Sequence, residues 1–235
     1  MGNLRSSSRY AIYFAPSESS ALHASCSQWL GRDTITGDSL VPALPASIDP
    51  VWWRTATESP RRYGFHATLK PPFRMNSSAS LDQLKTSLTE FASAQRSFLL
   101  PRLVLGRLGR FLALILTETS PELHALAANC VRTFDEFRVA PGDEELAQRM
   151  HPSLSQEEQK NLRDWGYPYV LETWKFHMTL TGSLPPQPLD LFRHHLQVRL
   201  GALCEHRLVC DSVCLFEESS PNTDLRLIER FSFAL

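Results

Sequence analysis

The sequence predicts an α+β fold of two similar halves, and three observations carry that expectation. Short runs of β-branched and aromatic residues alternate with amphipathic helical patterns along the chain. Two stretches repeat one order: a strand, a Pro-Pro pair, a helix and two strands. Each stretch carries the same landmark, His-Ala-Thr-Leu at 66–69 and His-Met-Thr-Leu at 177–180, which lie 111 residues apart (177 against 66). With 235 residues and 43% apolar side chains, the chain has the material for a sizeable core.

Residues 1–8 are polar and read as a disordered tail, leaving 9–235 as a single bilobal domain. Arg9 to Ala15 is a strand pattern, and Ser17 starts a helix to about Gly31 with Leu22, Cys26, Trp29 and Leu30 on one face. Prolines at 42, 45, 50 and 60 interrupt any period, so Arg32 to Pro60 reads as a long loop, with Trp52 and Trp53 packing part of it down. Tyr63 to Lys70 is strand-like. Ser80 with Gln83 forms a capping box for a helix to about Gln95. Phe98–Leu105 and Arg110–Thr117 are strands joined by a Gly106/Gly109 turn. Ser120-Pro121 opens a helix to about Phe137, and Ser155 with Glu158 caps another that ends near Gly166. Trp174–Thr181 then reads as a strand, Leu189–Leu200 as a helix, and Arg207–Phe216 and Asp224–Phe233 as the last strands.

Composition removes several function classes. With 24 basic and 25 acidic side chains the net charge is −1, which gives no electrostatic footprint for duplex DNA or an anionic membrane. The longest strongly apolar run, Phe111 to Leu116, is far below the ~20 residues that span a bilayer, and Met1 to Ser8 has no signal-peptide pattern. Five cysteines are an odd number. Cys204, Cys210 and Cys214 gather near His206, but their spacing is not that of paired zinc ligands, so they read as reduced core thiols of a cytoplasmic protein. No phosphate-binding P-loop, dinucleotide-binding glycine fingerprint, His-Glu-x-x-His or Gly-x-Ser-x-Gly occurs, and neither a metal nor a cofactor is expected.

The repeated landmark carries the chemistry. Side chains alternate along a strand, so His66, Thr68 and Lys70 share a face opposite Phe65, Ala67 and Leu69. In the second copy Lys175, His177, Thr179 and Thr181 face away from Phe176, Met178 and Leu180. Each strand thus offers one face to a core and one to a cleft between the halves. Two imidazoles can divide the work of general base and general acid near neutral pH. Threonine hydroxyls are neutral donors for phosphoryl oxygens, and Lys70 and Lys175 add positive charge. Such a set can break a phosphodiester without a metal.

Two His-x-Thr-apolar motifs at this spacing resemble the 2H phosphoesterase superfamily. The phrases Arg61-Arg62-Tyr63-Gly64-Phe65-His66-Ala67-Thr68-Leu69-Lys70-Pro71-Pro72-Phe73, Trp165-Gly166-Tyr167-Pro168-Tyr169-Val170 and Phe176-His177-Met178-Thr179-Leu180-Thr181-Gly182 are similar to an uncharacterised branch associated with phosphonate-utilisation (carbon–phosphorus lyase) genes. The resemblance covers nearly all the chain after the tail. It implies two pseudo-symmetric antiparallel sheets with outer helices around a central cleft, His66 and His177 as the catalytic pair, and Thr68 and Thr179 orienting the phosphate. It implies a small phosphorylated substrate, a sugar or nucleotide cyclic phosphate. Two alternatives stand beside a small-molecule phosphodiesterase: an enzyme processing 2′,3′-cyclic phosphate at RNA ends, and a non-catalytic binder of a phosphate ester.

Other residues have plainer readings. Arg61 and Arg62 form a solvated pair or supply one substrate contact. Tyr63 falls on the core face by alternation. Arg138 and Arg149 pair with Asp143, Glu144 and Glu145, or else clamp the far end of a substrate. His194 and His195 sit on a helix surface, while Trp165, Tyr167 and Tyr169 pack between the halves or else stack on a base. His23, His124, His151 and His206 carry no functional signal, and neither does the oligomeric state.

Overall fold

The structure, a computed structural model, describes residues 8–234, so the expected tail at 1–8 lies outside the described residues except for Ser8. The fold is α+β. The first half runs β1 (Arg9–Phe14), α1 (Ala21–Leu30), α2 (Pro50–Tyr63), β2 (Ala67–Arg74), α3 (Leu81–Ser93), β3 (Phe98–Leu99), β4 (Leu103–Leu108) and β5 (Phe111–Leu116). A connection follows with α4 (Pro121–Thr133), α5 (Asp143–Arg149) and α6 (Gln156–Trp165). The second half is β6 (Met178–Thr179), α7 (Pro186–Cys204), β7 (Val209–Cys210), β8 (Ser212–Glu218) and β9 (Arg226–Ser232).

The repeat is visible as β2-α3-β3-β4-β5 and β6-α7-β7-β8-β9. The halves exchange their hairpins. Strands β4 and β5 pair with β6 of the second half, whereas β8 and β9 join β1 and β2 of the first, in the order β4-β5-β6-β2-β1-β8-β9. All pairings in this sheet are antiparallel. β3 and β7, equivalent in the repeat, form a separate two-stranded sheet. The two sets of strands meet at the short β6, where Met178 pairs with Ala67 on one side and Leu114 on the other.

Alternation divides the sheet into two faces. Tyr10, Ile12 and Phe14 of β1, Leu69 of β2, Met178 and Leu180, and Val213 and Leu215 of β8 enter the main core against the helices. Ala11, Tyr13, Ala15, Cys214 and Phe216 point the other way into a small cluster that Tyr63 covers. Indole N–H groups stitch the layers: Trp29 donates to the Leu180 carbonyl, Trp53 to Trp29, and Trp174 to Thr68, each at 2.8 Å.

Both capping boxes form, Ser80 with Gln83 on α3 and Ser155 with Glu158 on α6. The expected loop at 32–60 instead ends in a helix. Asp49 caps α2 by accepting from the Val51 and Trp52 amides, and Pro50 occupies the first turn, where a missing N–H costs nothing. The 174–181 segment is strand only at 178–179. A short 3₁₀ turn at Leu171–Thr173 precedes it, and the Trp174 indole is drawn to Thr68 rather than into a ladder.

Candidate active site

Each landmark histidine sits immediately before its strand, His66 before β2 and His177 before β6. The Ala67–Met178 pairing is antiparallel, so continuing the register by one residue sets Thr68 opposite His177 and Thr179 opposite His66. Directly opposed residues share a face with Cβ atoms about 5 Å apart. All four side chains line one cleft of about 680 Å³.

The imidazoles are anchored alike. His66 Nδ1 lies 2.9 Å from the Gly64 carbonyl, and His177 Nδ1 lies 2.8 Å from the Lys175 carbonyl. A carbonyl only accepts, so each Nδ1 carries the proton and donates it. In the neutral ring that leaves Nε2 with the lone pair. His66 Nε2 is 3.2 Å from the Thr68 hydroxyl, which can donate to it.

The two rings differ in their surroundings. His66 stacks on the buried Tyr13, with ring centroids 3.8 Å apart and planes at 23°. Burial pushes its pKa down to about 4; the bond to Gly64 opposes the shift and the facing His177 reinforces it. His177 has the looser ring neighbour, with Phe111 at 6.0 Å.

Gly64 makes the anchoring possible. Its φ of 75° and ψ of −175° fall in a region essentially restricted to glycine. A Cβ there would come 1.5 Å from Thr34 Oγ1. Arg9, Tyr13, Tyr63, Arg149, Tyr167 and Pro168 form further walls.

The lysines of the landmark are elsewhere. Lys70 Nζ is buried, donating to the Val131 carbonyl at 3.0 Å and to Asp135 at 3.3 Å, in a neighbouring smaller cavity. An irregularity in the β1–β2 register between Thr68 and Lys70 accompanies this turn away from the cleft. Lys175 is exposed and lines a groove with His124, Trp174 and Phe176; it serves the site through its backbone carbonyl. Thr181 lines the cleft, but its hydroxyl accepts from the Leu112 amide at 3.0 Å.

Tyr63 faces the cleft rather than the core, because it ends α2 and strand alternation does not reach it. Arg61 pairs with Asp224 at 3.6 Å, and Arg62 with Glu218 at 3.8 Å and with the Tyr63 hydroxyl, so neither is a free solvated cation. Arg138 pairs with Asp135 instead of the 143–145 acids, whereas Arg149 does pair with Glu145 at 2.8 Å. His195 is half-buried against Trp29 rather than a surface residue. The five cysteines are buried and unpaired; burial raises the thiol pKa values of Cys204 and Cys214 to about 11 and drives Cys210 upward as well. Among the described residues, no group of three His, Cys, Asp or Glu side chains is placed to hold a metal ion. No helix among them is long and apolar enough to cross a membrane. Tyr13 and Arg9 carried no sequence signal beyond their place on β1, since their role depends on which strand lies beside β2.

The cleft is thus a two-histidine, two-threonine site on an antiparallel sheet. A family model described as a protein of unknown function, DUF1045, matches residues 68–226, and the chain belongs to that family. It is 31% identical over 236 residues to a ribose 1,5-bisphosphate phosphokinase PhnN of Janthinobacterium sp. (strain Marseille), covering 97% of this chain and 51% of that protein. A PhnN of the same description from Laribacter hongkongensis (strain HLHK9) is 33% identical over 180 residues, which are 75% of this chain and 40% of the relative. The chain therefore spans about half the length, or less, of these curated relatives. Among solved structures it is similar to E. coli LigT complexed with 3′-AMP, with a TM-score of 0.45, 12% identity and coverage of 97% and 99% of the two chains. It is also similar to a phosphoesterase, with a TM-score of 0.46, 13% identity and coverage of 97% and 98%.

Proposed function

We propose that this chain is a metal-independent phosphodiesterase that hydrolyses a small cyclic phosphate or phosphate ester by two-histidine general acid–base catalysis. The observation that carries the reading is the matched anchoring of His66 and His177, which turns two Nε2 atoms toward one cleft with Thr68 and Thr179 between them. Stacked on Tyr13 and held neutral at physiological pH, His66 is the general base that takes the proton of the attacking water. His177 then supplies the proton to the leaving oxygen. The Thr68 and Thr179 hydroxyls donate to the non-bridging phosphoryl oxygens, where negative charge grows as water attacks. The bound phosphate's own charge favours protonation of His66 during transfer, offsetting its low basicity in the empty cleft.

A small substrate fits the dimensions. The cleft of about 680 Å³ lies within the usual range for small-molecule sites. Relatives described as ribose 1,5-bisphosphate phosphokinases support a phosphorylated sugar as the substrate class. Buried, unpaired thiols suit a cytoplasmic protein. The test is turnover of a panel of cyclic sugar and nucleotide phosphates by wild type and His66→Ala. Hydrolysis of small cyclic sugar phosphates that the substitution abolishes supports the reading, whereas tight binding without turnover overturns it.

A further inference from the structure

Beside the histidine cleft lies a smaller cavity of about 50 Å³ that shares Arg9, Pro71, Pro72 and Arg149 with it. Arg9, Lys70, Arg74, Arg138 and Arg149 all border this cavity. Three carboxylates answer them: Asp135 holds Lys70 and Arg138, Glu145 holds Arg74 and Arg149, and Glu218 holds Arg9. Five cations against three anions leave an excess of positive charge around a void of a few water volumes.

Arg138 shows that the excess is directed inward. Its side chain is only 9% exposed, and Nε and one terminal nitrogen bind Asp135 and the Asp164 carbonyl. The other terminal nitrogen, Nη1, is buried and has no hydrogen-bond partner among the described residues. It lies where a Cβ on Gly166 would approach to 3.0 Å, and both Gly166 and Pro141 beside it line the cavity. A buried guanidinium donor without an acceptor is costly, and an oxyanion is the group that satisfies it.

We propose that this cavity is a second anion subsite and that the substrate is a phosphodiester carrying a separate terminal phosphate. The inference rests on the reading of the main cleft as a phosphodiester site and adds the second charge to it. Thr68 and Lys70 are two residues apart on β2, so their backbones stand roughly 7 Å apart along the strand, and the cavities they line share Arg9 and Arg149; one sugar unit spans a step of that size. The planar forks of Arg74, Arg138 and Arg149 suit a terminal phosphate, with three oxygens to share, better than a diester with two.

The experiment compares ribose 2,3-cyclic phosphate with and without a 5-phosphate as probes. Wild type should process the 5-phosphorylated probe with a kcat/KM at least tenfold higher. Arg138→Gln and Arg74→Gln should each collapse that ratio toward one. Arg74 is half-exposed, so its replacement answers the question even if loss of Arg138 disturbs folding. A wild-type ratio near one, with turnover still abolished in His66→Ala, overturns the subsite and leaves the catalytic reading standing. If wild type turns over neither probe, ribose 5-phosphate binding measured by calorimetry decides the subsite. Binding that Arg138→Gln weakens tenfold or more supports it, and no binding to wild type overturns it.

Discussion

His66 and His177 are held by the same bond, each donating Nδ1–H to the carbonyl of the residue two places before it. Because β2 and β6 pair antiparallel, these two anchored rings approach the cleft from opposite strand ends, each facing the other's threonine. The proposed division into an acid and a base on two sides of one phosphorus rests on that symmetry.

Removal of either ring should lower kcat by about 10²–10⁴, the usual worth of a positioned acid or base. His66→Ala combined with His177→Ala should lose far less than the product of the single effects, because the two act in one transition state. Single-turnover kinetics on folded variants measures this. A folded His177→Ala enzyme with near-wild-type turnover would end the two-histidine mechanism.

The ring beneath His66 sets the acid side of the pH profile. The limb of kcat/KM belonging to the base should fall below the usual histidine range, toward 4, because the profile reports the free enzyme. Tyr13→Leu opens the underside of the ring and should move that limb upward by a unit or more. A limb that stays near 6.5 in both proteins contradicts the assignment.

Stability should carry the same signature. Above pH ~6.5 His66 is neutral in both folded and unfolded chains and imposes no penalty. As pH falls from there toward about 4, the unfolded chain binds a proton that the folded one refuses, so stability is lost on the acid side. The loss due to this group should amount to at most ~2–3 kcal/mol, since the ring is only half-buried. Denaturant titrations of wild type and His66→Phe at pH 7 and pH 4.5 should show wild type losing more.

Gly64→Ala should harm the fold and the site together. The backbone strain alone costs about 1–3 kcal/mol, and the new methyl collides with Thr34. The midpoint of urea unfolding should drop accordingly. Turnover in the surviving folded fraction should fall as well, since the displaced carbonyl no longer orients His66.

Activity should survive exhaustive dialysis against a chelator, since the proposed mechanism draws its proton transfers and charge stabilisation from the imidazoles and hydroxyls alone. Loss of turnover on EDTA treatment, restored by a divalent ion, is the contrary result.

Much of this was legible in the chain itself. Capping boxes at Ser80 and Ser155 and the two His-x-Thr landmarks are local patterns, and local physics suffices to read them. Strict alternation puts Lys70 with the landmark, but it fails at the register irregularity between Thr68 and Lys70, where Asp135 competes for the ammonium. Helix α2 was obscured by Pro50 and Pro60, although Asp49-Pro50 is a helix start once read as one. Tyr13 has no signal of its own in the sequence, because its importance comes from a neighbour distant along the chain, His66. Arg138 is legible as a candidate clamp, but its carboxylate partner is Asp135 rather than the acids at 143–145, and its hold on the Asp164 carbonyl appears only in the fold.

The exchange of hairpins bears on the order in which this protein can be made. Strand β1 finds its partner β8 about 200 residues later, where Arg9 meets Glu218. A chain leaving the ribosome therefore holds one side of β1 open until about 200 further residues have been synthesised, and contacts of such long range form slowly. Until then the apolar strand RYAIYF is an unpaired edge, a point at which a nascent chain is exposed to aggregation and to the chaperones that guard against it.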